Sequence, residues 1–225
     1  MSVKRCEHCP RLIDHCRSVA VVKRKAYQNE KYWGKPVPNF GNPNVGLLVV
    51  GLAPGAHGAN RTGRMFTGDR SGQWLFKAMH RAGFASQAVS ESRKDGLELI
   101  DSAITNICRC APPGNKPERQ ELENCQPFFQ QTLELSDPIV ILALGSLAWK
   151  ATIEQLIELG FYDRPKKRPP FAHGESVKLK SNRWLLGSYH VSQQNTFTGR
   201  LTEPMLNSVF STAKKRIKQF RNRNK

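Results

Sequence analysis

A strand-like segment that leads into a long glycine-rich loop is the feature that most constrains the fold of this chain. Residues 45–50 are almost all apolar, and the loop over residues 51–69 contains five glycines. A continuous apolar run of this length is typical of a parallel strand buried on both faces. Apolar side chains at helical spacing then predict a helix over residues 71–82. This succession predicts a ligand site where the strand ends, as in open α/β sheets.

The loop over residues 51–69 combines several kinds of chemistry. Its glycines allow the backbone to approach a ligand closely. Arg61 and Arg64 are suited to bind phosphate, while Phe66 offers a ring for stacking and Asp69 a carboxylate. The spacing matches neither the P-loop nor the dinucleotide fingerprint, because Gly-Lys-Ser/Thr and GxGxxG are both missing here. An ordinary glycine-rich surface loop is the alternative interpretation.

Strand and helix signals alternate through the rest of the chain. The predicted strands span residues 46–51, 101–106, 138–144 and 184–188, and further helices are predicted over residues 118–135, 147–159 and 203–221. This alternation predicts a three-layer α/β/α sandwich with a mainly parallel central sheet. We expect one domain over residues 1–225, in which residues 1–16 form a cysteine-containing turn and residues 203–225 a basic helix.

Positive charge dominates the composition. Lys and Arg number 35 against 18 Asp and Glu, which gives a formal net charge of +17. Such an excess favours a polyanionic partner, most simply nucleic acid, over an adaptation to solubility alone. The sequence contains neither an apolar signal core nor a run of about 18 apolar residues, so we expect a cytoplasmic protein that does not interact with membranes.

Six cysteines in a chain of this kind indicate metal ligands or free thiols before disulfides. Cys6 and Cys9 are separated by two residues, and this spacing can present two thiolates to one metal. Two further thiolates from residues 110–125 could complete a four-thiolate site. Zinc and an iron–sulfur cluster both accept four thiolates, so the spacing alone leaves the choice between them open.

Three loops that follow predicted strands carry long motifs in a specific order. They read GLAPGAHGANRTGRMFTGD from residue 51, NICRCAPPGN from residue 106 and HVSQQNT from residue 190. Together these motifs resemble the uracil-DNA glycosylase superfamily, and closely the family-five, UDGb-type enzymes that carry an iron–sulfur cluster. The resemblance extends from Cys6 to about Thr202. It implies a prokaryotic, nucleoid-associated, monomeric repair enzyme that flips a deaminated base, uracil first, out of DNA and hydrolyses its N-glycosidic bond, leaving an abasic site.

The resemblance implies a 4Fe–4S cluster held by four cysteines, which are Cys6, Cys9, Cys110 and Cys125. Cys16 and Cys108 are then left over. Because Cys108 alternates with Cys110 along an extended backbone, we expect it to face the other way and to act as a small buried apolar residue.

The resemblance also implies a pocket for the flipped base. The backbone near Gly51 and Ala53 and the ring of Phe66 would contact the base, and the amide of Asn106 would read the O4 and N3–H edge of uracil. His190 would hydrogen-bond O2 as negative charge develops there.

A carboxylate is expected to act on the sugar side of the bond. Asp69 would stabilise the sugar cation and orient the attacking water, and Asn195 would support the site or the water. The simpler alternatives are that Asp69 is only a helix N-cap and that Asn106 caps a turn. Since position 53 is Ala where related families carry a polar residue, the pocket is expected to extend to hypoxanthine, ethenocytosine and hydroxymethyluracil.

Contacts with DNA are expected from the basic residues and from the last loop. Arg61, Arg64 and the tail Lys214–Lys225 are predicted to contact phosphates. Relatives commonly carry His-Pro-Ser where this chain has His190-Val191-Ser192, and loss of the proline is expected to loosen the loop. Phe197 is the candidate for an apolar wedge that enters the minor groove.

Two alternative functions remain open from the sequence. One is a glycosylase of the neighbouring family four, which shares the cysteine arrangement but carries Glu in the first motif. The other is a non-enzymatic nucleic-acid-binding module with a structural metal. Simple binding does not require an acid, an amide and an imidazole at three separate strand ends, so the enzyme is favoured.

Overall fold

A six-stranded mixed sheet forms the centre of the computed structural model, which describes residues 2–223. The strands are β1 (Phe40–Gly41), β2 (Leu47–Gly51), β3 (Ser102–Asn106), β4 (Val140–Leu144), β5 (Ser176–Lys178) and β6 (Trp184–Ser188). Their order in the sheet is β1-β3-β2-β4-β6-β5. The four central strands are parallel, and the two edge strands pair antiparallel with their neighbours.

Helices cover both faces of this sheet. They are α1 (Pro10–Val22), α2 (Ala59–Thr62), α3 (Arg70–Arg81), α4 (Arg119–Ser136), α5 (Ser146–Glu158), α6 (Gln193–Phe197) and α7 (Glu203–Arg223). Along β2, Leu47 and Val49 face one core with α3 and α7, whereas Leu48 and Val50 face a second core with α4 and α5. Successive side chains of a strand point to opposite faces, so a wholly apolar strand supplies both cores.

The predicted fold class, a three-layer α/β/α sandwich, is confirmed. Each central strand and each long helix predicted after residue 45 lies within two residues of its predicted position. The strands β1 and β5 were not predicted, because two or three residues are too few to show a periodicity. The polar segment after β6 was predicted as a loop and contains the short helix α6, capped by the Ser192 hydroxyl.

The prediction of one domain over residues 1–225 includes Met1, Asn224 and Lys225, which lie outside the described residues, and it stays a prediction. Within residues 2–223, none of the helices combines the length and the apolar composition needed to cross a bilayer.

Candidate active site

The central parallel strands end at one edge of the sheet, and the loops that follow them enclose a cleft of about 830 Å³. We refer to residues 51–69, which follow β2, as the first loop, and to residues 189–202, which follow β6, as the last loop. Asp69 and Phe66 from the first loop, Asn106 from the end of β3 and His190 from the last loop all line this cleft. The structure therefore brings together groups from three strand ends, at the place predicted for ligands in such sheets.

The two oxygens of the Asp69 carboxylate lie against different groups at the start of α3. One carboxylate oxygen, Oδ1, accepts a hydrogen bond of 2.9 Å from the Gly72 N–H and caps the helix. The other oxygen lies against Gly58, where an added Cβ would come within 1.9 Å of Oδ2. Burial raises the pKa of Asp69, and the Gly72 and Ser71 amides partly oppose this rise. The helix-cap interpretation is correct, and it leaves one oxygen of the carboxylate on the cleft side.

Asn106 lies in the floor of the cleft, and only one of the two polar atoms of its side-chain amide has a hydrogen-bond partner among the described residues. Its Nδ2 donates to the Met65 sulfur at 3.1 Å, while its buried Oδ1 has no hydrogen-bond partner among the described residues. Buried polar atoms without partners are costly, and they indicate a place where a ligand supplies the missing bond. A Cβ at Gly51 would lie 2.3 Å from Oδ1 and 2.9 Å from the Phe66 ring, so only glycine fits there.

Phe66 is held in an unusual backbone conformation. Its φ angle is +51°, in the left-handed region that aromatic residues rarely adopt. Strain of this kind costs on the order of 1–3 kcal/mol and persists where the surrounding structure fixes the residue. The ring centroid lies 6.3 Å from that of His190, and the two rings border the space beside Asn106.

His190 is held through its backbone and by packing. Asn195 donates from Nδ2 to the His190 carbonyl at 2.8 Å, which agrees with the supporting alternative predicted for Asn195. Burial lowers the pKa of His190, so the imidazole is neutral at neutral pH. Val191 is fully buried in the core shared with α3 and α7. Packing of Val191 therefore anchors the start of the last loop, at the position where the sequence predicted a looser loop.

Arg61 does not fit the phosphate-binding role predicted from the sequence. Its side chain is buried, with Nε donating to the His57 carbonyl and Nη2 to the Gly68 carbonyl, both at 2.7 Å. It also pairs with Glu30 and lies 3.8 Å from the centre of the Tyr27 ring. These partners occupy the guanidinium, so Arg61 joins His57 in the middle of the first loop to Gly68 at its end.

Arg64 is also buried and bonded within the protein, contrary to its predicted role as a phosphate contact. Both of its terminal nitrogens donate to the Asp95 carboxylate, at 2.9 and 2.6 Å. Further bonds of 2.9 Å reach the hydroxyls of Ser90 and Thr67. The Arg64 guanidinium holds the pKa of Asp95 well below its usual range, against the effect of burial. Arg64 thus connects the first loop to residues 90–95.

Other basic residues lie exposed at the cleft and were missed by the sequence reasoning. They are Arg24, Arg70 and Lys116. Arg70 stacks over Phe197 at 4.1 Å, and the Phe197 side chain is 63% exposed. Their positions depend on loop geometry, so motif spacing alone offered no signal for them. The exposure of Phe197 is compatible with the predicted wedge, a role that stays a prediction.

A cluster of cysteines lies beside the cleft. Cys9, Cys16, Cys108, Cys110 and Cys125 are buried together against Leu12 and Ile13 of α1, and Ala53 packs against the same group. Cys6 is half-buried, and all six thiols are free. Within residues 2–223, no group of three or more His, Cys, Asp or Glu side chains is arranged so that it could hold a metal ion.

Cys108 does not face away from the other cysteines, contrary to the sequence expectation. The chain bends over residues 107–110, so the two-residue alternation of an extended strand does not apply there. The Cys16 thiol donates to the Ala111 carbonyl at 3.6 Å, and the Cys108 thiol donates to the Cys110 carbonyl at 3.5 Å. The neighbouring Cys108 thiol and Arg109 lower the pKa of Cys125, despite burial. The five buried sulfurs of the cluster are one more than a four-thiolate site requires.

A buried cation beside these cysteines favours negative charge on their thiols. Arg109 is buried beside Cys108 and Cys125, and burial lowers its pKa to about 10. Its guanidinium bonds to Asn39, Thr132 and the Phe128 carbonyl, and no carboxylate pairs with it among the described residues. A buried cation without an acidic partner is costly. Negative charge on the neighbouring thiolates would offset that cost.

Comparison with known proteins identifies the family that this fold and site define. The family model described as the uracil DNA glycosylase superfamily matches residues 38–214. The chain belongs to the uracil DNA glycosylase superfamily. A type-5 uracil-DNA glycosylase of Mycobacterium leprae (strain TN) is 49% identical over 212 residues, which cover 93% of this chain and 90% of the relative. A type-5 uracil-DNA glycosylase of Thermus thermophilus is 44% identical over 211 residues, which cover 93% of each chain.

Similarity to type-4 enzymes is more limited. A type-4 uracil-DNA glycosylase of Pyrobaculum aerophilum is 36% identical over 125 residues, which cover 55% of this chain and 56% of the relative. Within the superfamily, the chain therefore resembles type-5 enzymes over more of its length than type-4 enzymes.

Proposed function

We propose that this protein is a monofunctional uracil-DNA glycosylase, which takes uracil out of the duplex stack and hydrolyses its N-glycosidic bond. The observation that carries the proposal is the convergence of Phe66, Asn106, His190 and Asp69 on one cleft. A base must leave the stack before side chains can reach its bond to the sugar. The names of the type-5 relatives support uracil as the first substrate.

Uracil would be recognised by the hydrogen-bonding groups of the Asn106 amide that have no partner in the protein. The buried Oδ1 accepts the N3–H of the base, and the second hydrogen of Nδ2 is free to donate to O4. The ring of Phe66 stacks on the base, and the missing side chain at Gly51 leaves room for both groups. The orphaned oxygen of Asn106 is thus satisfied by the substrate rather than by the protein.

Cleavage separates charge between the base and the sugar. The neutral His190 imidazole donates a hydrogen bond to O2 as negative charge develops on the leaving uracil. The carboxylate of Asp69, with one oxygen on the cleft side, stabilises the sugar cation and orients the attacking water. The water supplies a hydroxyl to the sugar carbon, and its proton passes to Asp69 or to solvent. The uracil anion takes up a proton from solvent, so the products are free uracil and an abasic site.

Release of uracil from a labelled duplex under single-turnover conditions tests this function. We expect wild-type protein to release uracil, and Asn106→Ala to lose about 10²-fold or more, since a site built to hydrogen-bond a substrate discriminates strongly when the bond is missing. Gln194→Ala, at the exposed rim of the same cleft, is the matched control and should retain its rate. An inactive wild-type protein that still binds DNA would favour the binding-module alternative.

The substrate range is proposed to extend beyond uracil. Ala53 is a small side chain at the wall of the cleft, where a polar group would restrict the base. The range would include hypoxanthine, ethenocytosine and hydroxymethyluracil. Duplexes that each contain one of these lesions test the proposal, and release of uracil alone would contradict it. Asn106→Ala should reduce the release of uracil more than that of hypoxanthine, which presents a different hydrogen-bonding edge.

A 4Fe–4S cluster is proposed as the group that the cysteines hold. Its ligands would be Cys6 and Cys9, which precede α1, together with Cys110 and Cys125. The buried Arg109 supports an anionic group at this place. When bound, the cluster would have a structural role, tying the N-terminal segment to α4 beside the wall of the cleft. Its proposed contribution to base release is thus indirect, through the position of Ala53.

The colour and iron content of the purified protein test this proposal. We expect a brown protein with broad visible absorption that changes on reduction. Cys125→Ala should lose the colour and much of the soluble yield, because a four-thiolate site ties distant segments together. A colourless protein with one bound zinc would contradict the iron–sulfur proposal and keep the ligand set.

Contact with the DNA backbone is proposed for Arg24, Arg70 and Lys116, which line the cleft. The predicted contact through the tail from Lys214 is not carried over, because Arg221 pairs with Asp101, which precedes β3 and lies at the end of that strand away from the cleft. The logarithm of the affinity for duplex DNA should fall with the logarithm of the salt concentration, with a slope of about −0.9 per phosphate contact.

A monomeric state and association with a bacterial nucleoid are part of the same proposal. Light scattering with and without DNA tests the monomer, and a dimer in both cases would contradict it.

A further inference from the structure

We propose that His173 is a positioning residue that holds His190 in place through the backbone of Tyr189, a role that rests on the proposed function. His173 lies in the segment before β5 and is half-buried. It lies outside the three sequence motifs that begin at residues 51, 106 and 190. Two backbone groups from different elements contact the two nitrogens of its ring, one on each side, and the Ser188 hydroxyl lies 3.5 Å from Nδ1.

The hydrogen bonds define which nitrogen of His173 carries the proton. The Tyr189 N–H donates to Nδ1 at 3.2 Å, so Nδ1 is the acceptor. Nε2 lies 3.2 Å from the Met205 carbonyl in α7 and must therefore donate to it. Burial lowers the pKa of His173, although the Met205 carbonyl opposes this shift, and the neutral form is the one that suits both contacts.

The segment that carries His173 is itself fastened to β6. Gly174 donates to the Gly187 carbonyl at 2.8 Å, and Gly187 donates to the Glu175 carbonyl at 2.9 Å. The rings of His173 and Tyr189 also pack together, with centroids 5.2 Å apart. His173 thus connects β6, α7 and the first residue of the last loop.

The position of His190 depends on its backbone because its imidazole has no hydrogen-bond partner among the described residues. Asn195 holds the carbonyl of His190 on the downstream side at 2.8 Å. On the upstream side, His173 accepts a hydrogen bond of 3.2 Å from the N–H of Tyr189, the residue before His190. A shift of the Tyr189 peptide would turn the His190 ring away from the base, and small misplacements of catalytic groups reduce rates strongly.

A set of three substitutions separates positioning from mere packing. His173→Asn places an oxygen near the site of Nδ1 and keeps an acceptor for the Tyr189 N–H. His173→Gln reaches the Met205 carbonyl instead and leaves the Tyr189 N–H without an acceptor. His173→Phe keeps the shape of the ring and removes both bonds. In each variant, the single-turnover rate of uracil release and the dissociation constant for DNA containing a non-hydrolysable 2′-fluoro-deoxyuridine are measured.

We expect the Gln and Phe variants to lose about tenfold in the single-turnover rate, the size of one lost hydrogen bond, with DNA affinity unchanged. The Asn variant should retain most of the rate. Equal rates in all four proteins would overturn the proposal, as would an equal loss in all three variants. A loss that lies in DNA affinity rather than in the rate would overturn it too.

A spectroscopic measurement keeps this proposal separate from the proposed function. In wild-type protein labelled with ¹⁵N-histidine, His173 should appear as the Nε2–H tautomer with a hydrogen-bonded Nδ1. The opposite tautomer would overturn the role of His173 even if uracil is released. If wild-type protein releases no base from any lesion duplex while this tautomer is observed, the proposed function fails and the contact with Tyr189 stands.

Discussion

The first loop and the last loop border the same cleft, but they are stabilised in different ways. In the first loop, Arg61 and Arg64 are buried and bond to several backbone and side-chain groups. In the last loop, Val191 is buried at the start, while Phe197 is 63% exposed at the end of α6. The first loop is therefore braced by buried side chains along its length, whereas the last loop is anchored near its two ends, by Val191 and Leu201, and is exposed between them.

This difference separates the tasks of the two loops. A stacking ring and a carboxylate need fixed positions, and Phe66 and Asp69 are on the braced first loop. A segment that enters DNA has to accommodate a deformed duplex, and the exposed Phe197 is on the less constrained last loop. His190 belongs to the last loop by sequence, yet Asn195 and His173 hold the backbone on either side of it.

Replacement of the carboxylate of the first loop is expected to have the largest effect. Asp69→Asn should reduce single-turnover base release by about 10²-fold or more, because the charge that stabilises the sugar cation is lost. Binding of lesion DNA should be largely retained. A variant with near-native rates would leave Asp69 with the role of a helix cap alone.

Stability provides a second readout of the same variant. Burial raises the pKa of Asp69, so ionisation is harder in the folded than in the unfolded protein and costs stability at neutral pH. Asn can still accept the Gly72 N–H, so the free energy of unfolding at pH 7 should stay equal or rise. Below the unfolded pKa of about 3.9, both side chains are neutral and this difference should vanish.

The pH dependence of base release by wild-type protein should report the ionisation of Asp69. Base release should fall about tenfold per pH unit below the raised pKa of Asp69, because only the ionised form is active. Burial lowers the pKa of His190, and a fall in rate caused by protonation of its imidazole should persist when Asp69 is replaced. Single-turnover rates from about pH 4 to pH 8 measure this limb. The limb should be missing in Asp69→Asn, and its persistence there would point to another group.

Removal of a brace of the first loop should act on stability rather than on DNA contacts. Arg61→Met removes hydrogen bonds and an ion pair from a buried site, so the free energy of unfolding should fall by about 2–3 kcal/mol. Chemical denaturation measures this loss. The matched control, Arg24→Met at the cleft surface, should keep stability and reduce the salt slope of DNA binding by about 0.9. The reverse pattern would restore Arg61 as a phosphate contact.

The smallest expected effect concerns the downstream support of His190. Asn195→Ala removes one hydrogen bond of 2.8 Å to the His190 carbonyl, and base release should fall about fivefold. Gln193→Ala, an exposed neighbour in the same short helix, is the control and should release base at the wild-type rate. Equal rates in the two variants would show that the last loop needs no support at this point.

The sequence by itself determined the fold class and much of the composition of the cleft. Buried parallel strands are nearly continuous apolar runs, so β2 and β4 were visible without any knowledge of their partners. Since parallel strands end at one edge of a sheet, the groups that follow them had to meet, and Asp69, Asn106 and His190 do so.

Only the tertiary structure decided what several of these side chains contact. Arg64 pairs with Asp95, which lies 31 positions away, and Arg61 pairs with Glu30 at the same separation. The sequence motif shows two basic residues in a loop, and it carries no information on whether a distant carboxylate reaches them. The side chains of Cys108 and His173 were likewise placed by bends and by contacts between elements. Chain spacing specifies local geometry, whereas burial and partners depend on which distant segments the folded chain brings together.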